Sequence, residues 1–431
     1  MADRRNNGRI DLEAVEMFVR ESMHRAGAAA LSHLLHEGPP ESTAIPCSCG
    51  DSARYKELRS KPFLSVVGPV EYQRPYYVCT QCHHAPNPSD AALGVEHQEF
   101  SPGVRRMMAV VGSDSAFDAG REQLELLAGL QVSTKSVERQ AEQIGAEIMR
   151  LEQAEIQRGL QLDLPIPLGP PIPVIYVEID GTGVPVVRKE THGRIGKVEG
   201  QPAHTREVKL GCVFTSVGVD RENRPIRDEA STTYIGAIET AEEFARRIHR
   251  EADKRGWSRA CIKVVLGDGA IWIWKIAAEQ FPGAILIVDF YHACEHLHKL
   301  SRFLFPSDEA VRRGWTASAV DLLDTGEIES LVAVVRSLVS ERPELAEKLH
   351  TEAEYFERNA AKMRYPDFRA QGLFVGSGVI EAGCKTVIGS RLKQSGMFWT
   401  VQGANRIIAL RCCRVSGKFE DFWEQAHSAA A

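Results

Sequence analysis

The sequence lacks any long apolar run. Its hydrophobic residues make up 43% of 431 positions, but no stretch approaches the ~18 to 20 consecutive apolar residues that a membrane span needs. The N-terminal "MADRRNNGRIDLEAVEMF" also lacks the apolar core of a secretory signal. We therefore expect a cytoplasmic chain with no membrane partner.

Negative charge is missing from one segment. Between Gly383 and Lys418 the chain has seven basic residues and no acidic one, although its net charge is −6. The acidic balance excludes a uniformly basic coat, so an anionic partner such as DNA has to be met by local patches. A single acid, Glu381, directly precedes this segment.

Four of the ten cysteines form two close pairs: Cys47, Cys49, Cys79 and Cys82. Without a secretory signal, such pairs indicate a metal site rather than disulfides. Two β-rich runs, Phe63 to Val67 and Val70 to Val78, predict a hairpin that folds the pairs together. We predict a structural Zn²⁺ site of four thiolates. A ligand exchanged for His83 or His84, or four reduced core cysteines, remain the alternatives.

Residues 101–157 have a helical pattern interrupted by a turn at 129–132. Two helices joined by a short turn containing glycine have the shape of a helix-turn-helix, whose second helix would present Lys135 and Arg139 to DNA. A plain helical hairpin is the alternative, because Glu138 opposes these bases. The next segment, "LDLPIPLGPPIP", contains five prolines and predicts a linker.

After the linker, successive apolar strands end in acids. "VIYVEID" ends in Asp180, "CIKVVLGD" in Asp268 and "AILIVD" in Asp289. The order of three strands, helix, strand, helix, strand, helix is that of RNase H-like domains, α/β folds with a mixed sheet and helices on both faces. A lone aspartate before glycine is often a turn former, but acids on successive strands predict phosphoryl transfer with two divalent cations.

Glu381 is the candidate for a third acidic ligand. The residues around it have helical spacing, and the all-helical stretch from Ala293 to about Arg369 predicts an insertion before it. A surface ion pair with Lys385 is the alternative. Glu178 lies on the same strand face as Asp180, but we rank it lower because a strand end is easier to reach.

Six segments resemble bacterial insertion-sequence transposases of the ISKra type: "YVEIDGTGVPVVRKE", "REVKLGCVFT", "STTYIGAIETAEEF", "VLGDGAIWIW", "IVDFYHACEHL" and "FVGSGVIEAGCKTVIGSRLKQSGMFWTVQGANRIIALRCCR". The resemblance implies a DDE transposase related to the Mutator-like superfamily, with an RNase H-like domain interrupted by a helical insertion. Its catalytic acids fall on Asp180, Asp268 and Glu381. "DFYH" matches an Asp-x-x-His signature, which makes Asp289 and His292 candidate accessory residues, although a hydrogen-bonded histidine at a helix start is the plainer interpretation.

The resemblance also implies a reaction and its partners. Two Mg²⁺ or Mn²⁺ ions held by the three acids would support cleavage of double-stranded DNA at the element's terminal repeats and joining of the 3′-hydroxyls to target DNA. A homodimer or larger oligomer is expected in the synaptic complex, in a bacterial cytoplasm and on the nucleoid when DNA is bound. An RNase H-like nuclease without strand transfer and a non-catalytic DNA-binding descendant are the alternatives.

The basic segment supplies the expected DNA contacts of the catalytic domain: Lys385, Arg391, Lys393, Trp399 and Arg406. The bases would bind phosphates, and Trp399 would stack on an unpaired base unless its indole belongs to the core.

We predict seven segments along the chain. They are an N-terminal helical segment (1–40), a zinc-ribbon-like module (41–95), a helical DNA-binding segment (96–161), the linker (162–173), a first catalytic part (174–292), a helical insertion (293–372) and a C-terminal catalytic part (373–431).

Overall fold

The computed structural model describes residues 5–6, 9–161, 169–196 and 203–428. Most of the predicted linker, residues 162–168, lies outside this part. The chain forms two compact units, Met1–Ile144 with Phe419–Ala431, and Gly145–Lys418. Their boundary falls inside a long helix, upstream of the predicted linker, and the division into seven segments stays a prediction.

The first part of the chain, up to residue 160, contains a small sheet and several helices. Its elements are β1 (Arg5–Asn6), β2 (Arg9–Ile10), α1 (Leu12–Leu35), β3 (Ala44–Pro46), β4 (Ser52–Ser65), β5 (Gly68–Cys79), α2 (Pro88–Ala92), α3 (Pro102–Asp114), α4 (Phe117–Gln123) and α5 (Thr134–Leu160). Strands β4 and β5 pair antiparallel from Ser65 and Gly68 outward, which confirms the predicted hairpin with longer strands. Phe63, Val70 and Tyr72 of this hairpin pack against Ala28 of α1.

The predicted pair of helices with a turn is also confirmed. Helix α4 runs into a π-helical turn, Leu124–Ala128, which ends at Gly129 with φ of 67°, and α5 follows. The side chain of Lys135 pairs with Glu138 at 2.9 Å, and Arg139 is exposed. Their contact with DNA stays a prediction.

The second unit is built on a mixed sheet. Its strands are β6 (Ile172–Pro185), β7 (Thr205–Val219), β8 (Pro225–Arg227), β9 (Thr233–Ala237), β10 (Ala260–Gly267) and β11 (Ile285–Val288). The order is β11-β10-β6-β7-β8, with β9 also paired to β7. Strand β6 is antiparallel to β7 and parallel to β10, which is parallel to β11. The predicted mixed α/β architecture is confirmed.

Helices cover both faces of this sheet. The remaining helices are α6 (Ala241–Lys254), α7 (Ile271–Gln280), α8 (Phe290–Leu304), α9 (Glu309–Asp324), α10 (Ile328–Glu341), α11 (Ala346–Asn359), α12 (Tyr365–Ala370), α13 (Gly378–Gly383), α14 (Ser390–Leu392), α15 (Val401–Val415) and α16 (Phe419–Ser428), of which α16 belongs to the first unit. Ile175, Val177 and Ile179 of β6 point into a core formed with α6 and α7. Because side chains alternate along a strand, Tyr176, Glu178 and Asp180 point to the other face.

The stretch predicted to be all-helical forms α8 to α12, although α8 already begins at Phe290, and we keep the name helical insertion for these helices. Asp289 is the N-cap residue of α8 and accepts a hydrogen bond from the backbone N–H of His292 at 2.7 Å. In the part of the chain that the structure describes, no helix is both long and apolar enough to cross a membrane.

Candidate functional site

Three acids meet at one end of the second unit's sheet. In the parallel register, Ile179 of β6 is paired with Gly267 of β10, and Gly267 with Val288 of β11. Each of these aligned residues is followed directly by an aspartate: Asp180, Asp268 and Asp289. Strands β10 and β11 end directly before Asp268 and Asp289, as predicted, but β6 continues through Asp180 to Pro185 because this stretch pairs with β7, so the prediction that a strand ends at Asp180 is wrong. Since the three strands are parallel and these residues are in register, the three acids lie side by side across the sheet.

Asp180 is held at two oxygens. Its Oδ1 accepts a hydrogen bond from the backbone N–H of Gly181 at 2.6 Å, and its Oδ2 accepts one from the Cys384 thiol at 3.2 Å. Burial raises the pKa of Asp180, and the charge of Asp268 adds to the increase, whereas the Cys384 thiol and His292 lower it. Sequence reasoning missed Cys384, whose one signal was its position three residues after Glu381.

The turn that carries Asp268 is fixed by the helical insertion. The hydroxyl of Tyr355 on α11 donates to the backbone oxygen of Asp268 at 3.0 Å, and Asn359 donates to that of Gly269 at 3.5 Å. Gly269 has φ of 93°, and a Cβ atom there would lie 2.7 Å from the Tyr355 ring. Asn359 is fully buried and also accepts from the indole N–H of Trp274 at 2.9 Å. The sequence carried no signal for these two insertion residues.

Glu381 lies in the first turn of α13 and is exposed. The Ser377 hydroxyl donates to its Oε1 at 3.5 Å. After α13 the chain passes into a π-helical turn, Cys384–Gly389, which alters the i, i+4 spacing of an ordinary helix. Among the described contacts, Glu381 and Lys385 form no ion pair, so the surface-pair alternative is not realised.

Asp289 and Glu178 differ from Asp180, Asp268 and Glu381 because both are fully buried. The Oδ2 of Asp289 accepts from the backbone N–H of Ser377 at 2.5 Å, so both of its oxygens are occupied. The Oε2 of Glu178 accepts from the N–H of Ile380 at 2.9 Å, and burial raises the pKa of Glu178 to about 8. Neither faces an open surface, which favours ranking Asp180 above Glu178 as a ligand.

His292 is half-buried, with Nδ1 3.8 Å from Glu295. Its ring lies edge-on to that of His296, with 5.1 Å between centroids, and His296 stacks on Tyr355. His292 therefore forms the end of a row of rings that extends from the acid cluster into the insertion. Its accessory role stays a prediction.

The donor set of Asp180, Asp268 and Glu381 consists entirely of carboxylate oxygens, the ligands that Mg²⁺ prefers. In the described part of the chain, the carboxylate oxygens of these three residues do not all lie within 4.8 Å of one another. The four cysteines are the one group of described ligand atoms that does. Two cations that are themselves ~3.5 to 4 Å apart do not need such convergence, because ligands at opposite ends of the pair are farther from each other. Their chemistry suits all three residues to divalent cations, and strand register places Asp180 beside Asp268, while the two-ion site stays a prediction.

Much of the basic segment serves the fold. Arg411 is buried and donates to the backbone oxygen of Val387 at 2.6 Å and to that of Thr386, both in the π turn. Lys418 pairs with Glu251 at 2.6 Å. Sequence reasoning counted all seven bases as one positive segment and assigned Lys385, Arg391, Lys393 and Arg406 to DNA, because a sequence does not separate surface cations from those that satisfy buried carbonyl groups.

Two of the predicted DNA contacts are buried. Arg391 is 0% exposed and lies over the ring of Trp399, with its guanidinium carbon 5.0 Å from the ring centroid. Trp399 is 7% exposed, and its indole N–H donates to the backbone oxygen of Leu392 at 3.1 Å. This burial favours the core-indole alternative for Trp399 and a packing role for Arg391.

The other predicted contacts differ in access. Lys385 and Lys393 are exposed, and the ammonium group of Lys393 donates to the hydroxyl of Thr182 at 2.5 Å, two residues beyond Asp180. Arg406 on α15 is half-buried. The two lysines are therefore the predicted contacts that the fold leaves accessible beside the acid cluster.

The four predicted zinc ligands converge in the first unit. All four Sγ atoms lie within 4.8 Å of one another, with Cys47 to Cys82 at 3.5 Å and Cys49 to Cys79 at 3.6 Å. Tetrahedral Zn²⁺ with Zn–S bonds of ~2.3 Å requires sulfur atoms ~3.8 Å apart. The backbone N–H of Cys49 lowers the pKa of Cys47 to about 6, whereas hydrogen bonds among the neighbouring thiols leave the pKa of Cys49 and that of Cys82 raised. A bound metal ion would stabilise all four thiolates. The cluster can hold zinc without a histidine ligand.

Comparison with known proteins gives distant likenesses. No protein-family model matches the chain. It is 24% identical over 346 residues to a "UPF0236 protein in vanSb 3'region" of Streptococcus gallolyticus, covering 79% of this chain and 69% of that relative. A solved "Drosophila P element transposase strand transfer complex" aligns with 78% of this chain and 83% of its own, at 8% identity and a TM-score of 0.26. A TM-score this low does not establish a shared fold.

Proposed function

We propose that the chain is a DDE transposase whose second unit is an RNase H-like catalytic domain. The observation that carries the proposal is that Asp180 and Asp268 follow aligned residues of two neighbouring parallel strands. Cys384, directly after the helix that contains Glu381, contacts Asp180 and so attaches that helix to β6. The central strand, with antiparallel neighbours on one side and parallel ones on the other, supports an RNase H-like sheet. The ISKra type rests on the sequence motifs alone.

Asp180, Asp268 and Glu381 are the residues that would hold the cations. Two bound Mg²⁺ or Mn²⁺ ions would supply activation of the attacking oxygen and stabilisation of the leaving oxygen. The chain's own contribution is to fix the carboxylates before DNA arrives. Gly181 and Cys384 orient the carboxylate of Asp180, and Tyr355 holds the turn of Asp268.

Lys385 and Lys393 are the residues that we propose to bind the phosphates beside the site. Both are exposed at the end of the sheet where the acids lie, so they can approach a DNA backbone without refolding. Their positive charge would offset the repulsion between the acids and the phosphates. Lys135 and Arg139 on α5, with the zinc-bound hairpin, are proposed to bind the ends of the element.

Double-stranded DNA is therefore the proposed partner, both as the element's terminal repeats and as target. Bringing two ends together requires two copies of the site, so we propose a homodimer or larger oligomer in the complex with DNA.

The test is a cleavage and joining assay with Mg²⁺ or Mn²⁺. The substrates are labelled duplexes from both boundaries of the mobile DNA that encodes the chain, with plasmid as target. We expect cleavage at the boundary and joining of the 3′-hydroxyl to plasmid. Asp268→Ala should abolish both, whereas Asp253→Asn, a change at a partly exposed acid on α6, should leave both intact.

Two outcomes would replace the proposal. Cleavage without joining, even with pre-cleaved ends, would indicate a nuclease of the same fold. Tight binding to the boundary duplex without metal-dependent cleavage would indicate a non-catalytic DNA-binding protein. Activity that survives Asp268→Ala would contradict the assigned site.

A further inference from the structure

Strand β6 binds one downstream segment, residues 374–384, through three alternate side chains. The Tyr176 hydroxyl accepts from the backbone N–H of Phe374 at 3.2 Å, and Glu178 accepts from that of Ile380 at 2.9 Å. The third contact joins Asp180 to the Cys384 thiol at 3.2 Å. These three residues lie at i, i+2 and i+4, so one face of the strand makes all three contacts.

Strand β11 holds the same segment from a second direction. Asp289, the residue after β11, accepts from the N–H of Ser377 at 2.5 Å, while its other oxygen caps α8. The N–H of Phe290 donates to the backbone oxygen of Val375 at 2.9 Å. The start of α13 is therefore fixed to two strands that are far from it in sequence.

Glu178 and Asp289 accept hydrogen bonds from backbone N–H groups at the start of α13. The first N–H groups of a helix have no partner within the helix, so side-chain oxygens near its start can accept from them. Glu178 and Asp289 meet this need for α13 while themselves 0% exposed. Both oxygens of Asp289 are hydrogen-bonded, whereas among the described residues only Oε2 of Glu178 is, and its buried Oε1 has no partner. Burying an acid in this way is costly, so a leucine or glutamine would be expected at position 178 if it served packing alone.

We infer that Glu178 and Asp289 are positioning residues that set the register of α13, so that Glu381 faces Asp180 and Asp268. This inference rests on the proposed function. It gives the Asp-x-x-His signature at Asp289 a structural purpose, because one carboxylate joins the start of α8 to the start of α13. Neither residue binds cation or DNA in this scheme.

Substitutions at Glu178 separate positioning from ligation. Glu178→Gln keeps an oxygen that can accept from Ile380 but removes the carboxylate, whereas Glu178→Ala removes both. Asp289→Asn keeps one of two acceptor oxygens. Glu251→Gln is the matched control, because Glu251 is another buried acid of this unit, pairs with Lys418 and does not touch residues 374–384.

Two measurements are made on each full-length variant. The first is the Mg²⁺ concentration that half-saturates DNA cleavage. The second is backbone hydrogen exchange in peptides covering 374–384, compared with peptides from β6 and β10, which needs neither DNA nor activity. We expect Glu178→Ala to raise the half-saturating concentration about tenfold and to speed exchange in 374–384 only, since one buried hydrogen bond is lost. Glu178→Gln should stay within about threefold of the parent.

The outcomes are distinct. If Glu178→Gln is as inactive as Asp268→Ala while exchange is unchanged, Glu178 is a cation ligand and the inference is wrong. Unchanged exchange in both Glu178→Ala and Asp289→Asn would also overturn it. If the parent chain cleaves no DNA but these variants still loosen 374–384, the docking of α13 stands and the proposed function fails. If Glu178→Ala does not fold, the same two measurements on Asp289→Asn and Glu178→Gln test the inference.

Discussion

The two candidate metal sites are assembled in opposite ways. The cysteine cluster is local, because its four ligands lie within residues 47–82 at the open end of one hairpin and its sulfur atoms already have nearly tetrahedral spacing. The acid site draws on residues 180, 268 and 381, each fixed by a segment distant in sequence. A local site thus reaches its geometry with its own hairpin, whereas the acid site depends on the docking of the C-terminal segment and the helical insertion.

The largest expected effect comes from removing zinc. We expect a strong chelator or Cys79→Ser to unfold the hairpin, because structural zinc binding contributes ~10 kcal/mol or more in small domains. Zinc content and exchange of the β4 and β5 amides measure this. The second unit should keep its unfolding transition. If the hairpin stays folded without zinc, the four cysteines are packed core thiols and not a metal site, and the comparison between two metal sites fails.

Asp180→Asn tests the other site. An amide still accepts a hydrogen bond from Cys384 but carries no charge for the cations, so we expect cleavage to fall by at least about 10³-fold, or ~4 kcal/mol of barrier. The free energy of unfolding should change little. The measurement is single-turnover cleavage at saturating Mg²⁺ together with thermal unfolding. Loss of activity that only follows loss of folded protein would count against a catalytic Asp180.

Arg411→Ala probes the long-range support of the acid site. Its guanidinium group donates hydrogen bonds to two backbone carbonyl oxygens of the π turn after α13. Because its loss leaves these buried acceptors unpaired, we expect the free energy of unfolding of the second unit to fall by about 3 kcal/mol. Urea unfolding measures this. Arg336→Ala is the control, because Arg336 makes an exposed ion pair with Glu357 and should cost less than about 0.5 kcal/mol. Equal effects would mean that the π turn needs no such support.

The smallest effect is expected at Lys393. Lys393→Ala should reduce the slope of log affinity against log salt by about 0.9, the value for one phosphate contact, and weaken DNA binding a few-fold. Trp399→Phe should leave this slope unchanged, because the indole is buried. The measurement is a DNA-binding titration of each variant at several salt concentrations. A change of slope at Trp399 would show that the side chain is uncovered when DNA binds.

Sequence patterns predicted the local features well. Helix α1, the hairpin, the turn at Gly129 and the strand ends before Asp268 and Asp289 follow from short-range periodicity and turn residues, whereas β6 continues past Asp180 because it pairs with β7 as far as Pro185. The cysteine spacing predicted the metal cluster for the same reason. These features depend on residues that are neighbours along the chain, where side-chain period and backbone preference act directly.

Contacts between distant segments were not predictable in this way. The basic segment looked uniform in sequence, yet Arg391 and Arg411 are buried while Lys385 and Lys393 are exposed. Which cation satisfies a carbonyl group and which reaches solvent depends on how the helices pack. The hydrogen bonds of Tyr355 and Asn359 to the Asp268 turn likewise arise between positions almost 90 residues apart.

The insertion's hold on that turn has a consequence for engineering. An insertion that only decorated the sheet could be replaced by a short linker to give a minimal catalytic domain. Here α11 supplies the hydroxyl and amide that satisfy the backbone of Asp268 and Gly269, and the fully buried Asn359 joins them to Trp274 of α7. Excision would leave those groups unpaired, so a shortened version of this protein has to keep α11 even if every other insertion helix is removed.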